Sequence, residues 1–137
     1  MAVSTTIKYL GELRTECTHL ASGSVIRTDA PVDNKGKGEM FSPTDLCAAA
    51  LASCAMTIMG MFAESQKLNV AGMAAEVSKT MSKEAPRRIV AIEVVITMPA
   101  GEYTDRQKAG FEKAANTCPV HHSLSEAMSQ TFTILWP

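Results

Sequence analysis

Ser42-Pro-Thr-Asp-Leu-Cys47-Ala-Ala-Ala-Leu-Ala-Ser-Cys54-Ala-Met56 is the stretch that decides the fold. Its opening is a helix start: the Ser42 hydroxyl can accept from free backbone amides, Pro43 suits the first helical position, and Asp45 complements the positive end of the helix dipole. A helix is therefore expected from about Pro43 to about Gln66, roughly 35 Å long at 1.5 Å per residue. From Leu46 to Phe62 nearly every residue is apolar or small. A helix apolar on all sides has to be covered on all sides, which one chain of 137 residues is hard pressed to do, so a homodimer is expected. A membrane span is the weaker reading, because the stretch lacks aromatic or basic flanks.

Before this helix, Ser4 to Thr28 carries the β-type runs Thr5-Thr-Ile-Lys-Tyr-Leu10 and Val25-Ile-Arg-Thr28, broken at Gly11 and at Ser22-Gly23. They predict a small antiparallel sheet. Asp29 to Phe41, with Lys35-Gly-Lys-Gly38, reads as an exposed loop. After the helix, Ala71, Met73, Ala75, Val77 and Met81, then Val90, Ile92, Val94, Ile96 and Met98, mark two strands with one apolar face each. Ser82 to Pro86 joins them as an antiparallel hairpin. Thr104-Asp-Arg-Gln107 is a capping box for a second helix to about Asn116. Cys118-Pro119 opens a third, shorter helix, and Thr131 to Leu135 closes the chain as a strand. The sum is an α+β chain, one domain over residues 1–137.

With 13 basic against 14 acidic residues and a net charge of -1, there is no cationic field for a phosphate backbone, so no nucleic-acid partner is expected. The start, Met1-Ala-Val-Ser-Thr-Thr-Ile-Lys8, lacks the pattern of a signal peptide, and a cytoplasmic location is expected. Four cysteines in that compartment are reduced at rest, which favours reactive, metal-binding or plain buried roles. Cys17 and Cys47 read as small buried hydrophobes.

Cys54 and Cys118 are 64 residues apart, so any chemistry they share depends on the fold. Cys118, just before Pro119, is placed to cap the third helix, where free amides and the positive helix end would raise its acidity. His121 and His122 lie in the first turn and can add charge or relay a proton. Cys54, deep in an apolar helix, is inert unless a partner is supplied. Cys47, Cys54 and Met61 recur at seven-residue spacing and share a helix face, which packing also explains. A structural zinc site shows two tight ligand pairs and this chain offers one, Cys118-x-x-His121. Neither a metal nor another cofactor is expected. Hydrolase and nucleotide chemistry lack a Gly-x-Ser-x-Gly elbow or a phosphate loop.

The Ser42-Pro-Thr-Asp-Leu46 opening, Ala-Ser-Cys54 eight residues beyond Leu46, the hairpin, and Cys118-Pro-Val-His121 at a late helix start together resemble the OsmC/Ohr family of thiol peroxidases. The resemblance covers most of the chain after about Thr28. It implies an intertwined α+β homodimer with antiparallel sheets packed around long buried helices, acting in oxidative-stress defence. It also implies that Cys54 is the peroxidatic thiolate, which attacks an organic hydroperoxide or H2O2 and becomes a sulfenic acid. Cys118 is then the resolving thiol, giving a Cys54–Cys118 disulfide that an external dithiol reduces. Residue chemistry alone favours Cys118 as the more readily ionised thiol, so the two readings order the pair oppositely.

The best characterised members of that family carry a glutamate after the helix-start proline and an arginine from a Gly-Arg-Asp-Gly type turn, which orient and ionise the thiol. Here Thr44 stands at the glutamate position, Asp45 is one residue and about 100° away, and no such turn exists. Arg14 or Arg27 is a substitute only by another route. Thr44, Asp45, Arg27 and His121 are therefore the supporting candidates, and the chain reads as a divergent branch. The rival expectation is the same fold binding a small ligand or sensing redox state without efficient turnover.

Overall fold

A computed structural model describes all residues, Met1–Pro137, as two compact units, Met1–Cys47 and Ala48–Pro137. In the first, β1 (Thr5–Gly11), β2 (Arg14–His19) and β3 (Val25–Asp29) form an antiparallel sheet in the order β1-β2-β3. Gly11 pairs with Arg14, and Glu12 and Leu13 between them both take positive φ, the geometry of a tight two-residue hairpin. No apolar run announces β2. Its two neighbours impose it, and Cys17 sits in register between Ile7 and Ile26.

The segment after β3 is exposed at Val32–Lys35, as expected, but its ends are tied down. Arg14 donates from Nε and Nη2 to the two carboxylate oxygens of Asp29 at 2.7 and 2.8 Å, and from Nη2 to Glu39 at 2.8 Å. Asp29 is buried. The Ala30 carbonyl accepts from the Gly38 N–H at 3.2 Å, and a Cβ on Gly36 would overlap that carbonyl. The glycines of Lys35-Gly-Lys-Gly38 thus mark a close backbone approach rather than looseness.

α1 (Pro43–Ser65) starts and ends within one residue of expectation. The Ser42 Oγ accepts from the Asp45 N–H at 3.0 Å while Asp45 accepts from the Ser42 N–H at 3.0 Å, a reciprocal cap. The second unit holds the rest of α1 with β4 (Ala74–Met81), β5 (Ile89–Thr97), α2 (Asp105–Ala115), α3 (Pro119–Ser123) and β6 (Ser129–Leu135). The Thr104 capping box on α2 is present in full. The hairpin β4–β5 is antiparallel, whereas β6 runs parallel to β5. A parallel neighbour needs a crossover, and α2 with α3 supply it. Ile92, Val94 and Ile96 of β5, Leu51, Ala55 and Met59 of α1, and Phe111 of α2 are fully buried.

Two expectations are corrected here. β4 begins at Ala74 rather than Ala71, and its apolar row is partly covered: Ala75 and Met81 are half-buried while Val77 is 37% exposed. β4 is an edge strand, and its row faces an open groove of about 520 Å³ lined with Ala49, Ala52, Ser53, Met56 and Thr57 of α1. α1 itself buries one stripe, Ala48, Leu51, Ala52, Ala55, Met59 and Ala63, while Met61 is 59% exposed. By length and composition this helix would pass for a membrane span, yet the stripe packs as a core helix does.

Candidate functional site

Cys54 and Cys118 reach each other from α1 and from the turn that opens α3. Cys54 is half-buried beside the fully buried Ala55. Cys118 is fully buried and caps α3: its Sγ accepts from the His121 N–H at 3.3 Å, with Pro119 in the first helical position. Cys54 packs against the buried cluster that contains Cys118, near enough to act on its thiol. All four cysteines are free thiols.

The expected acidity of Cys118 is overturned. Burial pushes its thiol up from the ordinary value, and outweighs the N–H groups of His121 and Val120 that favour the thiolate. Cys54 acts in the same direction as burial, through its hydrogen bond and through any charge it carries. The sequence displays the cap and the dipole but not the loss of water around the sulfur, and desolvation is the larger effect. Cys118 is thus a protonated thiol that can donate to Cys54.

His121 is held at two points by Gln130 of β6. Gln130 Nε2 donates to the His121 carbonyl at 3.1 Å, which orients the amide, and Oε1 then accepts from the Nδ1–H at 2.8 Å. The neutral ring therefore keeps its lone pair on Nε2. His122 and Phe132 lie edge-on to it at 5.3 and 5.9 Å. A cleft of about 360 Å³ opens beside His121, His122, Ser125, Glu126 and Gln130.

The other supporting candidates have structural tasks in the first unit. Thr44 Oγ1 is 3.0 Å from Ser42 Oγ, and Asp45 closes the helix cap. Arg27 donates to Glu16 at 3.0 Å in a cross-strand pair, and Arg14 holds the Asp29 carboxyl well below the usual carboxylate range. No three His, Cys, Asp or Glu side chains converge as a metal-binding group.

The family model described as OsmC-like protein matches residues 36–133, from the loop before α1 into β6. This chain belongs to the OsmC-like family. A solved structure from Psychrobacter arcticus, provisionally described as an osmotic stress induced and detoxification response protein, is 43% identical with a TM-score of 0.94, over 98% of this chain and 97% of that one. An organic hydroperoxide resistance protein OsmC from Legionella pneumophila is similar at a TM-score of 0.75, 16% identity and 98% of each chain. An organic hydroperoxide resistance protein from Elizabethkingia anophelis has a TM-score of 0.76 at 14% identity, over 100% of this chain and 99% of that one. At such identities the likeness is one of fold. No curated protein matches the chain in sequence.

In this OsmC-like protein the fold brings together Cys54, Cys118 and, through its backbone N–H, His121. Sequence reasoning missed Gln130. Its signal was the alternation through β6 and the residue after it, where Gln130 shares the half-buried row with Phe132, Ile134 and Trp136. A polar side chain in such a row needs a partner.

Proposed function

We propose that this OsmC-like protein is a homodimeric, cofactor-free thiol peroxidase of the cytoplasm, reducing organic hydroperoxides or H2O2 in oxidative-stress defence. The observation that carries the reading is the placing of Cys54 against the buried cluster that holds Cys118, within one chain and near enough to act on its thiol. The Cys54 sulfur attacks the terminal peroxide oxygen, the O–O bond breaks, and the alkoxide takes a proton and leaves as alcohol. Cys54 is then a sulfenic acid. Cys118 attacks that sulfur, its thiol proton leaves with the hydroxyl as water, and the disulfide is returned to two thiols by an external dithiol, which is itself oxidised. The more exposed Cys54 meets the oxidant and the buried Cys118 waits beneath it.

The open side of α1 and the exposed Ile7, Tyr9, Leu10, Val25 and Ile26 of the first sheet favour an intertwined dimer, since patches of that kind are rarely left to water. The hydroperoxide-resistance names of the Legionella and Elizabethkingia proteins point to the same chemistry. The test is to mix reduced protein with cumene hydroperoxide and count thiols. Two of the four cysteines per chain should disappear, and none in a Cys54→Ser protein. Absence of thiol loss, or equal loss in that variant, refutes the reading. The engagement of Arg14 by Asp29 and Glu39, and of Arg27 by Glu16, favours a second reading, a divergent branch that binds a small ligand or senses oxidants without efficient turnover. In that case the disulfide forms once and slowly.

A further inference from the structure

β6 carries a polar residue in an apolar row. Gln130, Phe132 and Ile134 are the half-buried residues of the strand, paired in register with Ile92, Val94 and Ile96 of β5. A glutamine there loses part of its water and has to make up hydrogen bonds from protein groups. His121 supplies both, one from its ring and one from its carbonyl. The residue so gripped is the one whose N–H reaches the Cys118 sulfur.

α3 is five residues long with no buried residue of its own. A helix of that length has no stability apart from what pins it. Its first turn nonetheless has to keep one N–H on the sulfur of a fully buried thiol while that sulfur changes from thiol to nucleophile to disulfide. The Pro119 ring fixes one dihedral at the start of the turn. The Gln130 amide fixes the far side, gripping His121 at both its ring and its carbonyl.

We propose that Gln130 is a positioning residue for the resolving thiol, acting through His121 to hold the N–H that accompanies Cys118 as it attacks the Cys54 sulfenic acid. The inference rests on the reaction proposed above and assigns a residue to its second step alone. In that step the Cys118 S–H and the Cys54 S–OH become a disulfide and water. Negative charge develops on Cys118 as its proton leaves, and an N–H already aimed at that sulfur needs no reorganisation to meet it. The first step, attack on the peroxide by Cys54, does not pass through Gln130.

The experiment follows both steps in the full-length protein. A single equivalent of cumene hydroperoxide is added, Cys54 sulfenic acid is trapped with dimedone at timed intervals, and the disulfide is quantified by peptide mass spectrometry. In Gln130→Leu the sulfenic acid should form at the native rate and persist roughly tenfold to a hundredfold longer, the range that misplacement of a reacting group produces. In a His121→Ala background, which removes the ring contact but keeps the backbone carbonyl, the same substitution should slow resolution by a smaller factor than it does in the native background. Native resolution in Gln130→Leu, equal slowing of both steps, or an additive effect in the His121→Ala background overturns the inference. If Gln130→Leu fails to fold, Gln130→Glu keeps an acceptor for Nδ1, loses the donor to the His121 carbonyl and adds a negative charge. It should slow resolution by a smaller factor, and native resolution there overturns the inference equally. Failure of native protein to form Cys54 sulfenic acid overturns the proposed reaction itself and this inference with it, a result distinct from sulfenic acid that forms and resolves at the native rate in both Gln130 variants.

Discussion

Replacing Gly110 with alanine sets two opposed effects against each other in the packing that brings the thiols together. Gly110 lies inside α2, where alanine is favoured over glycine by about 1 kcal/mol in an exposed helix. Here a Cβ would land on the ring of Phe62, with its tip carbon and two ring neighbours all within 2.7 Å. The ring would have to leave. Overpacking of this kind costs about 1–3 kcal/mol, and Phe62 would also give up its edge-on contact with the fully buried Phe111, whose centroid is 4.9 Å away at 87°, worth about 1 kcal/mol more. The clash wins, with a net loss of about 2 kcal/mol, or about 7 °C in Tm for a chain of this size. Phe62 stands eight residues after Cys54 and Gly110 eight before Cys118, so a ring forced out between α1 and α2 also moves the two sulfurs apart. Differential scanning calorimetry of the reduced protein and timed thiol loss after peroxide measure both effects. A Tm raised by about 3 °C, as an unobstructed glycine-to-alanine change would give, together with native disulfide formation, would refute the reasoning.

Three further outcomes are expected. Asp29→Asn should lower stability at neutral pH, because Arg14 loses its ionised partner. The native carboxyl is held below the usual range by Arg14, so its contribution is complete above the unfolded value near about 3.9 and is lost as the pH falls through the lower folded value. The gap in urea midpoint between native and variant proteins should therefore hold from pH 7 to 5 and close below pH 4, and a gap that persists at pH 2 counts against it. Thr104→Ala removes the side chain that accepts from Gln107 N at 3.1 Å and should cost about 1 kcal/mol in urea unfolding, and a change within error would show that α2 does not rely on its cap. Brief iodoacetamide treatment of the reduced protein should leave Cys118 the least alkylated cysteine, since burial both hides its sulfur and disfavours the thiolate. Preferential alkylation of Cys118 would restore the acidity read from its helix-start position.

What was legible in the sequence is what a few adjacent residues encode. Ser42-Pro43 and Thr104-x-x-Gln107 fix helix starts by hydrogen bonds that close within one turn, and both caps form as read. The even-numbered apolar row of β5 needs only a period of two, and Ile92, Val94 and Ile96 are buried. What was not legible depends on partners distant in the chain. β2, with Glu16 and His19 among its residues, carries no run of its own and becomes a strand because β1 and β3 flank it. The parallel pairing of β6 with β5 spans both helices between them, and no local residue specifies it. Gln130 is the same case at the site: it lies just before the strand read from Thr131 to Leu135, and its partner His121 lies across a turn whose geometry only the fold supplies.

The reversal at Cys118 shows which physical effect governs the pair. An N-cap offers a sulfur one or two amide hydrogens, whereas full burial removes water from every side, and the second effect is the larger. In the proposed reaction the two act at different moments. While Cys54 meets the peroxide, a second thiolate beside it would repel its charge, and burial keeps Cys118 protonated, a donor to its neighbour rather than a competitor. Once Cys54 is a neutral sulfenic acid, that repulsion is gone. The His121 and Val120 amides that could not ionise Cys118 alone are then already in place for the charge that develops as its proton departs. The helix-start position read from Cys118-Pro119 thus serves the second step rather than the first, which reconciles that position with a resolving role for Cys118 and a peroxidatic one for Cys54.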